Sequence, residues 1–181
     1  MRDLEIRGAG NLLGSQQSGH IAAVGFTLYC QLLARTVAMM KGEKPPEIID
    51  VKLNLDFIDF SPASDDPQSA ASLPYSYVEE DSQRMGYLKR FAEASDLPAL
   101  RKLRAELKDR YGSAPPAAVR FFNLAQLRLA CARAGVGSID VREQRAVFRS
   151  RATGEIAAVV ELKGRSADRK VTELINAVTG K

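Results

Sequence analysis

The sequence has no tryptophan, one histidine and two cysteines in 181 residues. Each scarcity excludes something. His20 is the only imidazole and has no carboxylate or thiol at a useful spacing, so a histidine-based catalytic or metal centre lacks its second member. Cys30 and Cys131 lie far apart in helical patterns with no metal-ligand spacing, and read as reduced, buried, small apolar side chains rather than a disulfide. No G-x-x-x-x-G-K-S/T run is present, and the closing Thr179-Gly180-Lys181 lacks its partner glycine, so no phosphate cradle is expected. G-x-S-x-G is missing as well. No apolar run approaches the ~20 residues that span a bilayer. The first residues are charged and lack the apolar stretch of a signal peptide. Together these absences predict a cytoplasmic chain with no membrane partner and no catalytic residues of its own.

What is present is ordinary in bulk and uneven in detail. Hydrophobic residues make up 45% and charged residues 27%, enough for one folded domain with an appendage. The net charge is +4, but residues 45–81 carry nine acidic side chains against one basic, and residues 82–181 carry twenty basic against ten acidic. A basic C-terminal half suits a solvated helical surface, and also suits nucleic acid or an acidic protein face. Few aromatics interleave with these charges for base stacking. Asp65-Asp66 and Glu79-Glu80-Asp81 are acidic runs in loops. They read as solvated, with cation binding and a small metal-dependent hydrolase as a remote reading.

Residues 1–20 are read as irregular loop. Gly8, Gly10, Gly14 and Gly19 suit a backbone that turns sharply or lies close to a partner, and Arg2, Arg7, Gln16 and Gln17 can donate along it. The chain begins in mid-motif and reads as part of something larger. Phe26, Tyr29, Leu33, Val37 and Met40 recur at helical spacing, and Pro45-Pro46 forbid continuation, so a connector helix is expected over 21–40.

Ile49, Val51, Leu53, Leu55 and Phe57 alternate with Asp50, Lys52, Asn54 and Asp56, which predicts a strand over 48–59 with one buried face. Its polar face is mostly acidic and calls for a basic neighbour. The Ser/Pro/Ala/Asp-rich run 61–72 reads as a mobile loop. Leu73–Val78 reads as a short extended segment, because Pro74 pushes Leu73 out of the helical region. Three helices should follow. Asp81 or Ser82 caps the first, with Met85, Leu88, Phe91 and Ala92 on its stripe. Asp96 caps the second, with Leu100, Leu103 and Leu107 inward and Gly112 at its end. Pro115-Pro116 open the third, which runs to about Ala134 with Val119, Phe122, Leu129 and Ala132 among its apolar positions. Ile139–Val141, Ala146–Arg149 and Ile156–Leu162 read as strands with a turn at Thr153-Gly154, and a last helix follows Ser166. The expectation is an α+β fold: helices packed on a small, mostly antiparallel sheet, preceded by a loop and a connector helix.

Two stretches resemble a known family. Asp3-Leu-Glu-Ile-Arg-Gly-Ala-Gly-Asn-Leu-Leu-Gly14, continued by Gln17-Ser-Gly19, is similar to the end of the translocation motif shared by RecG-type helicases and the transcription-repair coupling factor family. Leu73-Pro-Tyr-Ser-Tyr-Val78, Gln83-Arg84-Met85, Tyr87-Leu-Lys-Arg90 and Glu106-Leu-Lys-Asp-Arg-Tyr-Gly112 with Pro115 are similar to the C-terminal domain of that second family, which RecG-type helicases lack. Tyr111 stands where the family usually has Phe, Leu73 where Ile is common, and Pro116 is an extra proline.

The resemblance implies a division into residues 1–43, the end of the translocation motif and a connector helix, and residues 44–181, a regulatory domain. It implies a parent that is an ATP-dependent DNA translocase, with ATP and Mg2+ held by motor lobes and no cofactor in the present stretch. The parent displaces stalled RNA polymerase from duplex DNA and recruits UvrA for nucleotide excision repair. The regulatory domain autoinhibits by covering a UvrB-like module of the same protein. By resemblance, Arg7 and Gln17 couple hydrolysis to movement, Gly8, Gly10, Gly14 and Gly19 turn that motif, and Glu106, Asp109 and Arg110 make the intramolecular contact. Those last three sit at i, i+3 and i+4, so a helix places them on one face. The rival reading is a stand-alone basic nucleic-acid-binding module, which tight, steeply salt-dependent DNA binding by residues 44–181 would favour.

Overall fold

In the computed structural model the described residues are 51–61, 64 and 66–180. The expected connector helix and the first residues of the expected strand lie outside them.

Strand β1 is Lys52–Leu55. Leu53 and Leu55 are buried and Lys52 and Asn54 exposed, as the alternation requires. It is shorter than expected, because the chain turns at once: the Ile58 amide donates to the Leu55 carbonyl at 3.2 Å, and the Asp56 carboxylate accepts from the Glu143 amide at 2.6 Å. The run after it is folded, not mobile, over its described part. Asp66 accepts from the Gln68 amide at 2.9 Å and the Ser69 hydroxyl at 2.5 Å. Asp59 donates to Ser69 and accepts from Ala71 through its backbone. Ala70, Ala71 and Leu73 are thereby delivered to the core. Composition hid this, since small residues bury as readily as they loop. Leu73–Val78 is likewise a turn rather than an extended segment, with the Tyr77 and Val78 amides both donating to the Pro74 carbonyl.

Helix α1 spans Asp81–Glu93. The expected Asp81 or Ser82 cap is replaced: Glu80 is the N-cap, without a side-chain cap bond, and its carboxylate instead accepts from the Ser82 hydroxyl and the Gln83 side-chain amide. Helix α2, Leu97–Tyr111, is capped by Asp96 accepting from the Ala99 amide at 2.7 Å, and stops at Gly112, whose φ is 81°. Helix α3, Pro116–Arg133, opens on proline, where a missing amide costs nothing. Gly135 (φ 71°) turns the chain into strand β2, Val136–Arg142. Glu143, at φ 55°, sits in the tight turn to β3, Arg145–Ser150. Strand β4 is Ile156–Glu161, and helix α4, Ala167–Thr179, follows the Ser166 cap.

The four strands form one sheet in the order β1-β2-β3-β4. The β2–β3 and β3–β4 pairs are antiparallel, and β1 pairs with β2 in parallel, Leu53 beside Ile139 and Leu55 beside Val141. The fold is therefore α+β with a mixed, mostly antiparallel sheet. The basic neighbour expected for β1 does not arrive: β2 brings Ser138 and Asp140, and Asn54 donates to Asp140 at 2.6 Å.

One sheet face, with Leu53, Leu55, Ile139, Val141, Ala146 and Phe148, is buried under the helices. Helix α3 lies at the centre, touching α2, α4 and β2. Phe91 of α1 stacks on Phe122 at 5.2 Å and meets Phe121 edge-on at 5.3 Å. Each such pair contributes roughly 0.5–1.5 kcal/mol beyond the area it buries.

Helix α3 also buries two arginines. Arg120 donates to the Ala70 and Pro67 carbonyls at 2.5 and 3.1 Å and pairs with Asp168 at 2.9 Å. Arg128 donates to the carbonyls of Phe91, Ala92 and Ala94, at 2.8–3.1 Å, where α1 ends. Cys131 is buried on the same helix, and burial pushes its thiol up to about 12, so it stays protonated. Cys30 lies outside the described residues.

Candidate interaction surface

Helices α1 and α2 form a hairpin across the short link 94–96, so the last turn of α1 faces the middle of α2. There Arg90 forks onto Glu106, Nη1 to Oε1 at 2.8 Å and Nη2 to Oε2 at 2.6 Å. The Tyr87 hydroxyl donates to the same Oε1 at 3.1 Å. A bidentate guanidinium–carboxylate pair is the strongest geometry such a pair has. Arg90 holds the Glu106 carboxyl down at about 2, outweighing the opposing cost of desolvation, and the Tyr87 hydroxyl adds a smaller pull in the same direction. The same bond holds the Arg90 guanidinium above its ordinary value.

Three tyrosines back this pair. Tyr111 meets Tyr77 and Tyr87 edge-on, at 5.9 and 6.1 Å. The Tyr77 hydroxyl donates to the Gly112 carbonyl at 3.2 Å, tying the turn after Pro74 to the end of α2. The Tyr111 hydroxyl donates to the Gln83 side chain on α1. Burial pushes the phenols of Tyr77 and Tyr87 up, so both remain protonated donors at neutral pH.

Glu106, Asp109 and Arg110 all lie on α2, but in two situations. Glu106 is 38% exposed and its two oxygens are taken by Arg90 and Tyr87. Asp109 and Arg110 are exposed in the last turns of the helix. The Tyr87 hydroxyl beside Arg110 holds its guanidinium above the ordinary value. The sequence reading missed Tyr87 and Arg90 as the partners of Glu106. Their three-residue spacing, which puts them on one face of α1, was the available signal. Arg7, Gln17, Gly8, Gly10, Gly14 and Gly19 lie outside the described residues.

Among the described residues no group of three or more His, Cys, Asp or Glu side chains is placed to hold a metal. No described helix is long and apolar enough to cross a membrane.

Helices on a small mixed sheet, with a tyrosine-backed ion pair beside an exposed charged helix end, define an α+β domain. A family model described as the TRCF domain matches residues 68–163, just over half of the chain. A transcription-repair-coupling factor of Myxococcus xanthus is 46% identical over 113 residues, 62% of this chain and 8% of that protein. Those of Mycobacterium tuberculosis and Escherichia coli are 34% and 32% identical, over 90% and 81% of this chain and 13% and 12% of theirs. A crystal structure of the C-terminal domain of transcription-repair coupling factor superposes with a TM-score of 0.53 at 12% identity, covering 72% of this chain and 94% of that one. The chain belongs to the transcription-repair coupling factor family. It spans about a tenth of the length of the curated relatives it matches.

Proposed function

We propose that residues 44–181 are the regulatory domain of an ATP-dependent DNA translocase that removes stalled RNA polymerase and recruits UvrA for nucleotide excision repair. The domain restrains its parent by covering a UvrB-like module of the same protein. ATP and Mg2+ belong to the parent's motor, the cytoplasm is the place of work, and the stretch alone does not hydrolyse ATP. Arg7 and Gln17, with the turns at Gly8, Gly10, Gly14 and Gly19, pass the motor's state to the DNA.

The observation that carries the regulatory reading is the end of α2. Asp109 and Arg110 project to solvent from a helix whose position is set by the Arg90–Glu106 fork and the tyrosines behind it. A mixed-charge face on a fixed support gives a contact that is selective in register and weak enough to release. In this arrangement Glu106 braces the surface, and Asp109 and Arg110 make the contact.

The test uses the whole parent protein. Asp109→Lys with Arg110→Glu should raise both its ATPase rate and its binding of UvrA. A lock with a coupling of about 1–3 kcal/mol corresponds to a rise of roughly 5- to 150-fold. If neither quantity rises, this face is not the lock.

A further inference from the structure

The sheet has a second face that no described element covers. Lys52 on β1, Arg142 on β2 and Arg145 and Arg149 on β3 project from it, with Asp140 and Glu161 as the acidic residues in the same rows. At one end, Lys52, Arg149 and Arg151 line an open notch of about 420 Å3 together with the hydroxyl-bearing Ser138 and Ser150, and no carboxylate lines it.

The notch is held by backbone. A Cβ on Gly137 would stand 2.8 Å from the Arg151 Cα, so glycine there lets the β3–β4 turn close over the start of β2. The Arg151 amide donates to the Gly135 carbonyl at 2.8 Å, and Arg149 is steadied by the Gly154 carbonyl at 3.4 Å. The turn itself is closed by Ser150, whose hydroxyl accepts from the Ala152 and Thr153 amides at 3.2 and 3.4 Å. Asp140 pairs with Arg149 at 3.9 Å, and its carboxylate also accepts from the Asn54 side chain at 2.6 Å and the Ser138 hydroxyl at 3.3 Å. At the other end of the face, Arg142 and Arg145 stand directly opposite one another. A like-charged cross-strand pair costs stability, and Glu161, opposite Arg145 on its other side, offsets only one of the two charges.

We propose that this outer sheet face docks the phosphodiester backbone of duplex nucleic acid, with Lys52, Arg149 and Arg151 on one phosphate row and Arg142 and Arg145 on the other. Two physical points select this occupant. Arg145 and Arg149 are four strand residues apart, about 13 Å at ~3.3 Å per residue, which is close to the ~12 Å width of the DNA major groove. The notch also offers hydroxyls, cations and glycine backbone without an aromatic or large aliphatic anchor. Phosphate contacts use such groups, whereas a single-strand platform uses aromatic rings; the exposed aliphatics of this face, Ile156 and Val159, lie on β4 beside the notch and not in its lining. With few phosphates engaged, the contact is weak, on the order of 10⁻⁵ M at low salt. It supplements a DNA-engaged protein and does not make a stand-alone binder. It does not depend on the regulatory reading of α2.

The experiment measures binding of the 181-residue chain to a fluorescent 20-base-pair duplex of arbitrary sequence across a salt series. The variant Lys52→Ala/Arg149→Ala/Arg151→Ala should weaken binding at least tenfold. It should also flatten the log–log salt slope by about 0.9 for each phosphate that is no longer neutralised. Arg101→Ala/Lys102→Ala/Arg133→Ala removes the same charge from exposed helical positions and should weaken binding less than threefold. Arg149→Lys guards against misfolding, since it keeps the charge and should retain most of the affinity. Four results would each overturn the proposal: no salt-dependent binding at 100 µM chain, equal weakening in the two triple variants, tighter binding of single strands, or displacement of the duplex by polyglutamate at equal charge. The last would assign the face to acidic protein.

Discussion

The molecule uses arginine in two opposite ways. On α3, Arg120 and Arg128 are each only 1% exposed and spend their guanidinium groups on backbone carbonyls of segments far away in sequence. On the α1–α2 hairpin, Arg90 and Glu106 form a pair of better geometry, yet water reaches both, with side chains 45% and 38% exposed. Geometry alone would rank the second pair higher. Burial reverses the ranking, because an abandoned buried acceptor finds no water, whereas an abandoned surface carboxylate does. The buried arginines hold the fold, and the exposed pair sets the attitude of a surface.

Three measurements sharpen or break that contrast, from the largest effect to the smallest. Arg128→Ala leaves the Phe91, Ala92 and Ala94 carbonyls without their donor at the end of α1. It should cost about 3 kcal/mol or more in urea unfolding. Arg120→Ala exposes fewer buried groups, since Asp168 is 57% exposed and simply returns to solvent. About 2 kcal/mol is expected there. Costs below about 1 kcal/mol in both variants, the size of a single ordinary hydrogen bond, would break the contrast.

Glu106→Gln should cost less than about 1 kcal/mol at pH 7, because solvent screens the pair. The sign with pH follows from the carboxyl being held at about 2 in the folded chain, below its ordinary 4.5. Its contribution is complete above pH ~4.5 and fades as pH falls toward about 2. The gap in stability between the parent chain and Glu106→Gln should therefore close over that interval. A gap that is constant from pH 7 to pH 2 would mean that the ion pair does not act as an ion pair.

Much of the fold was legible in the sequence because its signals are local. Asp96, Gly112, Pro116 and Ser166 mark helix ends by residue chemistry alone, and all four mark them in the structure. The alternation in β1 likewise reports its buried face. Three features were not legible. The loop before Leu73 has the composition of a mobile segment, but Asp66 closes it through the Ser69 hydroxyl and the Gln68 amide, contacts that also hold the Asp66 carboxyl below its usual range. Helix α3 buries side chains nearly all round, including Phe121, Leu124 and Leu127, so a single apolar stripe understates it. The parallel β1–β2 pairing joins residues more than eighty positions apart and has no local mark. Of the candidate contact residues, α2's helical spacing was readable, but the difference between Glu106, forked onto Arg90, and the more exposed Asp109 and Arg110 depends on α1, a neighbour only the fold supplies.

That parallel pairing has a consequence for how the chain comes into being. As residues are added from the N-terminal end, β1 emerges first and then waits through three helices until Ser138 to Val141 are made. Until then its Leu53 and Leu55 have no sheet to join; β2, β3 and β4, once made, can close on one another through short turns. Among the described strands, β1 is thus the one whose pairing must close the longest stretch of chain. Long-range parallel closure of this kind sets a slow step in folding, and a chain halted before residue 138 would hold an apolar strand in search of an edge.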